Sequence, residues 1–208
     1  MSGATQPRVI RLLIADDEHL IRGALEALLG LEPDIEVVAS ADNGLTAAEL
    51  ALETRPDICL LDLEMPGADG IEAAARILAS VATKVIIVTR HARPGVLRRA
   101  LATRVSGFVP KSTPAEELAN VIRDVAAGKR YIDHEIAAAA LTAERCPLTD
   151  RELDVLRVSR GAVGVQQIAD QLHLASGTVR NYLSSAMTKL DAASRHDAAE
   201  RAWQQGWI

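Results

Sequence analysis

A chain of 208 residues, 49% hydrophobic and 25% charged, exceeds the roughly 100 to 150 residues of an ordinary domain and carries enough apolar material for two packed cores. Its net charge of -5 speaks against a generic polyanion binder. From Pro147 onward acidic and basic residues balance, so the excess acid lies upstream, and any grip on nucleic acid must come from placed residues and dimerisation.

Residues 1–7 lack the charged segment and apolar run of a signal peptide, and no stretch approaches the roughly 20 apolar residues that span a bilayer. A cytoplasmic location without membrane insertion is expected. From residue 9 to 127 short aliphatic runs alternate with amphipathic patterns, the signature of a parallel sheet covered by helices on both faces. The pattern predicts strands over 9–15, 35–39, 58–61, 84–89 and 107–109, and helices over 19–29, 45–54, 70–79, 95–103 and 114–127. This is a flavodoxin-like, five-stranded α/β domain whose functional groups gather at the carboxyl ends of the strands. Pro110 suits the end of an edge strand, where no backbone donor is needed. Cys59 and Cys146 have neither metal-ligand nor disulfide spacing and are expected to be reduced thiols.

The expected division is a first domain over 1–128, a linker over 129–146 in which 136–141 is alanine-rich enough for a short helix, and a second domain over 147–208. Beyond the linker strand signals vanish. Four short helices are predicted, over 150–159, 166–172, 177–190 and 194–205.

Asp16 and Asp17 follow the first strand, and Asp62 closes the third. Those strands are neighbours in such a sheet, so the three carboxylates converge on one patch, at a repulsive cost that a cation relieves; hard oxygen ligands with room for water suit Mg²⁺. Thr89 ends the fourth strand and Lys111 lies just past the fifth. Metal, hydroxyl and ammonium around one carboxylate are the parts that stabilise a phosphoryl group in transfer. Asp62 is the best acceptor, because Asp16 and Asp17 are better placed to hold metal, and an acyl phosphate is labile as a reversible signal requires. An Asp-Asp pair alone is more often a polar loop; the matching strand-end positions of Asp62, Thr89 and Lys111 decide for function. Asp57 reads as a strand-entry residue, His19 and His91 as surface groups, and Glu64 as a group that could tune water access.

The motifs Ala15-Asp16-Asp17-Glu18, Leu61-Asp62-Leu63-Glu64-Met65-Pro66-Gly67, Thr89-Arg90 and Phe108-Val109-Pro110-Lys111 resemble the CheY-like receiver domain of two-component response regulators. The resemblance implies that a sensor histidine kinase phosphorylates Asp62. It also implies that the backbone carbonyl of Glu64 completes the Mg²⁺ site with Asp16, Asp17 and Asp62, that Thr89 and Lys111 contact the phosphoryl oxygens, and that Phe108 is the aromatic switch. Pro110 departs from the pattern, since many receivers carry proline after the lysine.

In the second domain Gln167-Ile168-Ala169-Asp170-Gln171-Leu172 is followed by a turn over 173–175 and a helix with Ser176 as its expected N-cap. Val179, Leu183, Ala186 and Leu190 form an inward stripe, which turns Arg180, Asn181, Ser184 and Thr188 outward. Such a face suits a recognition helix in the major groove, with Arg180 reading guanine and Asn181 adenine, or either holding phosphate.

The run from Leu148 to Leu156, with Ile168-Ala169 and Ser176-Gly177-Thr178-Val179-Arg180-Asn181-Tyr182, is similar to the all-α, four-helix LuxR-type helix-turn-helix of NarL/FixJ regulators. The DNA-contacting set this implies is Ser176, Thr178, Arg180, Asn181, Tyr182, Ser184, Thr188 and Lys189. Finer motifs, such as Ala92-Arg93-Pro94-Gly95 and Gly206-Trp207, are similar to DesR-like regulators. They imply transcriptional control of membrane-lipid or envelope genes under a membrane-bound, DesK-like kinase, with promoter DNA as partner and homodimerisation on phosphorylation. Asp150, Glu152 and Asp154 would repel a duplex if they faced it, and Trp203 and Trp207 are expected in the core or a dimer contact. An aspartate-nucleophile phosphatase and a phosphorylation-independent DNA-binding protein are the alternatives.

Overall fold

A computed structural model describes residues 9–90, 93–141, 146–161 and 163–208. The elements run β1 (Ile10–Ala15), α1 (His19–Leu29), β2 (Ile35–Ala41), α2 (Gly44–Thr54), β3 (Ile58–Asp62), α3 (Gly70–Ser80), β4 (Lys84–Thr89), α4 (Pro94–Ala102), β5 (Gly107–Pro110), α5 (Ala115–Ala126), β6 (Tyr131–Ile132) and α6 (His134–Leu141). They are followed by α7 (Asp150–Ser159), α8 (Val165–Leu172), α9 (Ser176–Lys189) and α10 (Arg195–Gln204).

The chain divides into two compact units. In the first, the strands form a parallel sheet in the order β2-β1-β3-β4-β5-β6. Every residue of β3 is buried, as expected of a strand covered on both faces. Alternate residues of the central strands, Leu12, Ile14, Leu60, Ile86 and Val88 among them, pack with Leu118, Val121, Ile122 and Val125 of α5 and Leu29 of α1. Period-two alternation sends Leu13, Cys59, Leu61, Val85, Ile87 and Phe108 to the opposite face, where they too are buried. Local chemistry starts the helices at defined residues: Asn43 accepts from the Thr46 amide at 2.8 Å to open α2, and Asp69 with Glu72 forms a capping box on α3.

The sheet has six strands where five are expected. Tyr131 and Ile132, inside the predicted linker, pair with Gly107 and Phe108. The edge is therefore β6 and not β5, and Pro110, opposite Thr89 of β4, lies just past the last β5 residue paired with β6, where the proline can donate no further ladder bond.

In the second unit α7 to α10 close around Val155, Leu156, Ile168, Ala169, Val179, Leu183, Ala186 and Ala198. His173 ends α8 in the left-handed conformation at φ 54, and the Leu174 amide returns to the Ala169 carbonyl at 2.8 Å. This makes the tight turn that sets α9 against α8. Trp207 belongs to the core, while Trp203 packs on its edge with the Arg160 guanidinium 3.6 Å over the ring.

Candidate functional site

Three strand ends build the acidic site. Ala15 pairs with Leu61, so Asp16, one residue beyond β1, and Asp62, the last of β3, emerge side by side. Both carboxylates are buried, at 2% and 4% exposure, whereas Asp17 is exposed. One carboxylate oxygen from each of Asp16, Asp17, Glu18 and Asp62 lies within 4.8 Å of the others; the three aspartates are hard-oxygen donors of the sort that suits Mg²⁺, while Glu18 is taken up by Lys111 and Arg90.

The loop after β3 is held tightly. The Leu63 amide donates to the Val88 carbonyl at 2.8 Å, and the Gly70 amide returns to the Leu63 carbonyl at 2.9 Å. A Cβ at Gly70 would run into the Asp62 carbonyl group, 2.9 Å from its carbon, so only glycine lets α3 start this close to the site.

Lys111 reaches the carboxylates from β5. The Lys111 amide donates to the Thr89 carbonyl at 2.7 Å, and its Nζ lies 2.8 Å from Asp16 Oδ2, 2.9 Å from Asp62 Oδ2 and 3.0 Å from Glu18 Oε1. Thr89 is 1% exposed at the end of β4, where Val88 stands opposite Asp62. Burial pushes the Asp62 carboxyl up to about 6, against the pull of Lys111 and of the Glu64 backbone N–H that hydrogen-bonds to it. Burial disfavours the Lys111 charge, yet its hydrogen bonds to Asp16, Asp62 and Glu18 outweigh this and hold it above the ordinary lysine value. The site thus suits a lysine that stays charged beside a carboxylate that needs cationic help to stay ionised.

Asp17, Glu18, Asp62, Glu64, Arg90 and Lys111 line a cleft of about 340 Å³ over this centre. Glu18 and Arg90, each directly adjoining a predicted site residue, carry no sequence signal of their own. They pair with one another, and the hydrogen bond from Lys111, above all, holds the Glu18 carboxyl below the usual range. Phe108 is fully buried in β5. Asp57 stands at the other end of β3, accepting from the Arg11 amide at 3.0 Å; His19 is exposed, and His91 lies outside the described residues. A larger cleft of about 610 Å³ opens at the strand starts, but Arg123 there is paired with Asp34 and Glu32, and Lys84 Nζ donates to the Ala126 carbonyl at 2.7 Å.

The second unit presents α9 as the sequence predicts, with Val179, Leu183 and Ala186 buried and Arg180, Asn181, Ser184 and Thr188 exposed. One predicted feature differs. The N-cap of α9 is Ala175; Ser176 is the first helical residue, and its hydroxyl donates to Gln166 Oε1 at 2.7 Å, tying the starts of α8 and α9 together. Thr178 is half-buried, and Tyr182 packs partly against the core. The Thr188 hydroxyl donates to the Ser184 carbonyl at 3.0 Å.

Lys189 is committed within the unit, its Nζ lying 2.9 and 2.8 Å from the two oxygens of Glu152. Glu152 is 3% exposed and also accepts from Ser185 Oγ at 2.6 Å and the Thr149 amide at 2.7 Å. Burial raises its carboxyl, but the bonds from Lys189, Ser185 and Thr149 prevail and bring it down to about 2. The expected repulsion of a duplex by Glu152 therefore does not arise, because that charge faces inward and is neutralised.

A doubly wound parallel sheet with carboxylates and a lysine at its strand ends, followed along the chain by a helix-turn-helix bundle, is the architecture of a receiver coupled to a DNA-binding module. Residues 12–123 match the response regulator receiver domain family, and residues 146–202 match the bacterial regulatory proteins of the luxR family. The chain is 42% identical over 200 residues to the transcriptional regulatory protein DesR of Bacillus subtilis, covering 96% of this chain and 100% of that one. It is 39% identical over 201 residues to the transcriptional regulatory protein YvfU of the same organism, with 96% and 100% covered. The receiver domain of the response regulator NarL from Mycobacterium tuberculosis superposes with a TM-score of 0.57 at 33% identity, over 59% of this chain and 100% of that one. The chain belongs to the response regulators that join a receiver domain to a LuxR-type DNA-binding domain. It is a homologue of transcriptional regulators, and among the described residues no helix is long and apolar enough to cross a membrane.

Proposed function

We propose that this response regulator is switched by phosphorylation of Asp62 by a sensor histidine kinase, and that the switch controls promoter binding through α9. The observation that carries the reading is the placement of Asp62, which shares Lys111 with Asp16 inside a cleft floored by four carboxylates. Asp16, Asp17, Asp62 and the Glu64 backbone carbonyl would hold Mg²⁺, and bound cation would offset charge on the transferring phosphoryl group.

The rest of the work falls to the chain itself. Lys111 neutralises the acceptor and stands ready for a phosphoryl oxygen, Thr89 supplies a hydroxyl at the adjacent strand end, and Asp62 attacks in its ionised form. The acyl phosphate so formed is lost slowly by hydrolysis. Phe108, fully buried in β5, serves as the aromatic switch. Phosphorylation promotes homodimerisation, which places two α9 helices on a two-fold symmetric site. Arg180, Asn181, Ser184 and Thr188 supply the DNA-contacting face, with Ser176 and Thr178 at its amino end, while Tyr182 and Lys189 serve chiefly to pack and brace α9. The likeness to DesR supports a membrane-bound, DesK-like kinase as donor and membrane-lipid or envelope genes as targets, with the regulator itself in the cytoplasm.

Selection of bound fragments from the source genome tests this. The full chain with acetyl phosphate and Mg²⁺ should enrich a small set of fragments that Asp62→Asn does not; equal enrichment by both proteins would contradict the phosphorylation switch.

A further inference from the structure

Glu18 has no part in the switch as set out above, yet its carboxylate holds two cations from two different loops. Its Oε1 lies 3.0 Å from Lys111 Nζ, beyond β5, and its other oxygen takes the Arg90 guanidinium, beyond β4. Lys111 and Arg90 both line the cleft over Asp62. Glu18 is 35% exposed and Arg90 50%, so solvent reaches this pair and its ions can exchange partners at small cost. A guanidinium and an ammonium converging on one pair of oxygens is also the arrangement that binds a phosphate.

We infer that Glu18 is an internal competitor for the phosphodonor: its carboxylate occupies the Lys111–Arg90 cation pair that an incoming dianionic phosphodonor must engage to reach Asp62, and Arg90 is the donor-binding residue uncovered when Glu18 yields. The inference rests on Asp62 being the acceptor. A donor entering this cleft meets four carboxylates, and by displacing Glu18 its phosphate oxygens gain Arg90 and one of the three Lys111 contacts, the other two staying with Asp16 and Asp62. With acetyl phosphate as donor, an Asp62 carboxylate oxygen forms a bond to phosphorus while the bond from phosphorus to the acetyl oxygen breaks. Acetate leaves with that electron pair and no proton is transferred. Arg90 touches neither the bond formed nor the bond broken, so its contribution falls on donor binding and not on the maximal rate.

The test measures the rate of phosphorylation of the full chain against acetyl phosphate concentration at saturating Mg²⁺. Glu18→Gln should lower the half-saturating donor concentration by roughly threefold or more, with little change in the maximal rate. In an Arg90→Ala background the same substitution should give less than about half of that gain. A Glu18→Gln variant whose half-saturation is changed less than this or rises, or an equal gain in both backgrounds, would overturn the inference. Both side chains are partly exposed, and thermal melts establish that the variants fold. Wild-type protein that takes no label, or Asp62→Asn that takes as much as wild type, would instead bring down the acceptor assignment, so the two failures are distinguishable.

Discussion

Two buried carboxylates carry opposite perturbations, and the difference separates their roles. Burial raises Asp62 from 3.8 to about 6 despite Lys111, so ionised Asp62 is a cost to the fold that grows as pH rises from near 4 through 6. Asp62→Asn should therefore stabilise the metal-free receiver at pH 7 by roughly 1 to 3 kcal/mol, seen as a higher denaturant midpoint, and saturating Mg²⁺ should shrink the advantage. A variant less stable than wild type without metal would contradict this. Glu152 runs the other way: bonds from Lys189, Ser185 and Thr149 overcome its burial and lower it from 4.5 to about 2. Its contribution is present above about pH 4.5 and lost as pH falls through 2. The stability gap between wild type and Glu152→Gln should accordingly close over that interval, whereas a constant gap would show that the carboxylate is not held by charge.

At the level of helices and strands, periodicity was a good guide where an element buries one consistent face. The stripe of Val179, Leu183 and Ala186 is spaced as a helix requires and lies in the core, and the aliphatic runs ending at Ala15 and Thr89 stop where their strands stop. β6 escaped because two residues after Gly128, Lys129 and Arg130 offer no alternation to detect, and its pairing comes from a neighbour distant in sequence. Ser176 looked like a cap because serine favours that position; its hydroxyl instead bonds across to Gln166. Asp16, Asp62 and Lys111 were legible because each follows a recognisable strand, while the parts of Glu18 and Lys189 depend on partners 93 and 37 residues away. The outward face of α9 yields its own expectation. Arg180→Ala should weaken specific DNA binding by about 1 to 3 kcal/mol, whereas Lys189→Met should leave the salt dependence of binding nearly unchanged because its ammonium is already paired. Electrophoretic or fluorescence titrations across a salt series check both, and a Lys189→Met slope reduced by about one unit would return that residue to the phosphate-contacting set.

For the chain as a whole, the neutral charge balance from Pro147 onward means that bulk electrostatics add little to DNA affinity there, and under the proposed switch the pairing of two weak readers supplies it. Sedimentation of the full chain should show a monomer that becomes a dimer when acetyl phosphate and Mg²⁺ are added, and no such change for Asp62→Asn; an unaltered mass would remove dimerisation from the account. Everything depends on which side chain takes the phosphoryl group. The direct measurement is mass-spectrometric mapping of that group after brief treatment of the full chain with acetyl phosphate and Mg²⁺. The account predicts a single added phosphoryl on the fragment containing Asp62, discharged by hydroxylamine as an acyl phosphate is, while a phosphoryl group on any other residue, or none in the presence of the metal, would contradict it.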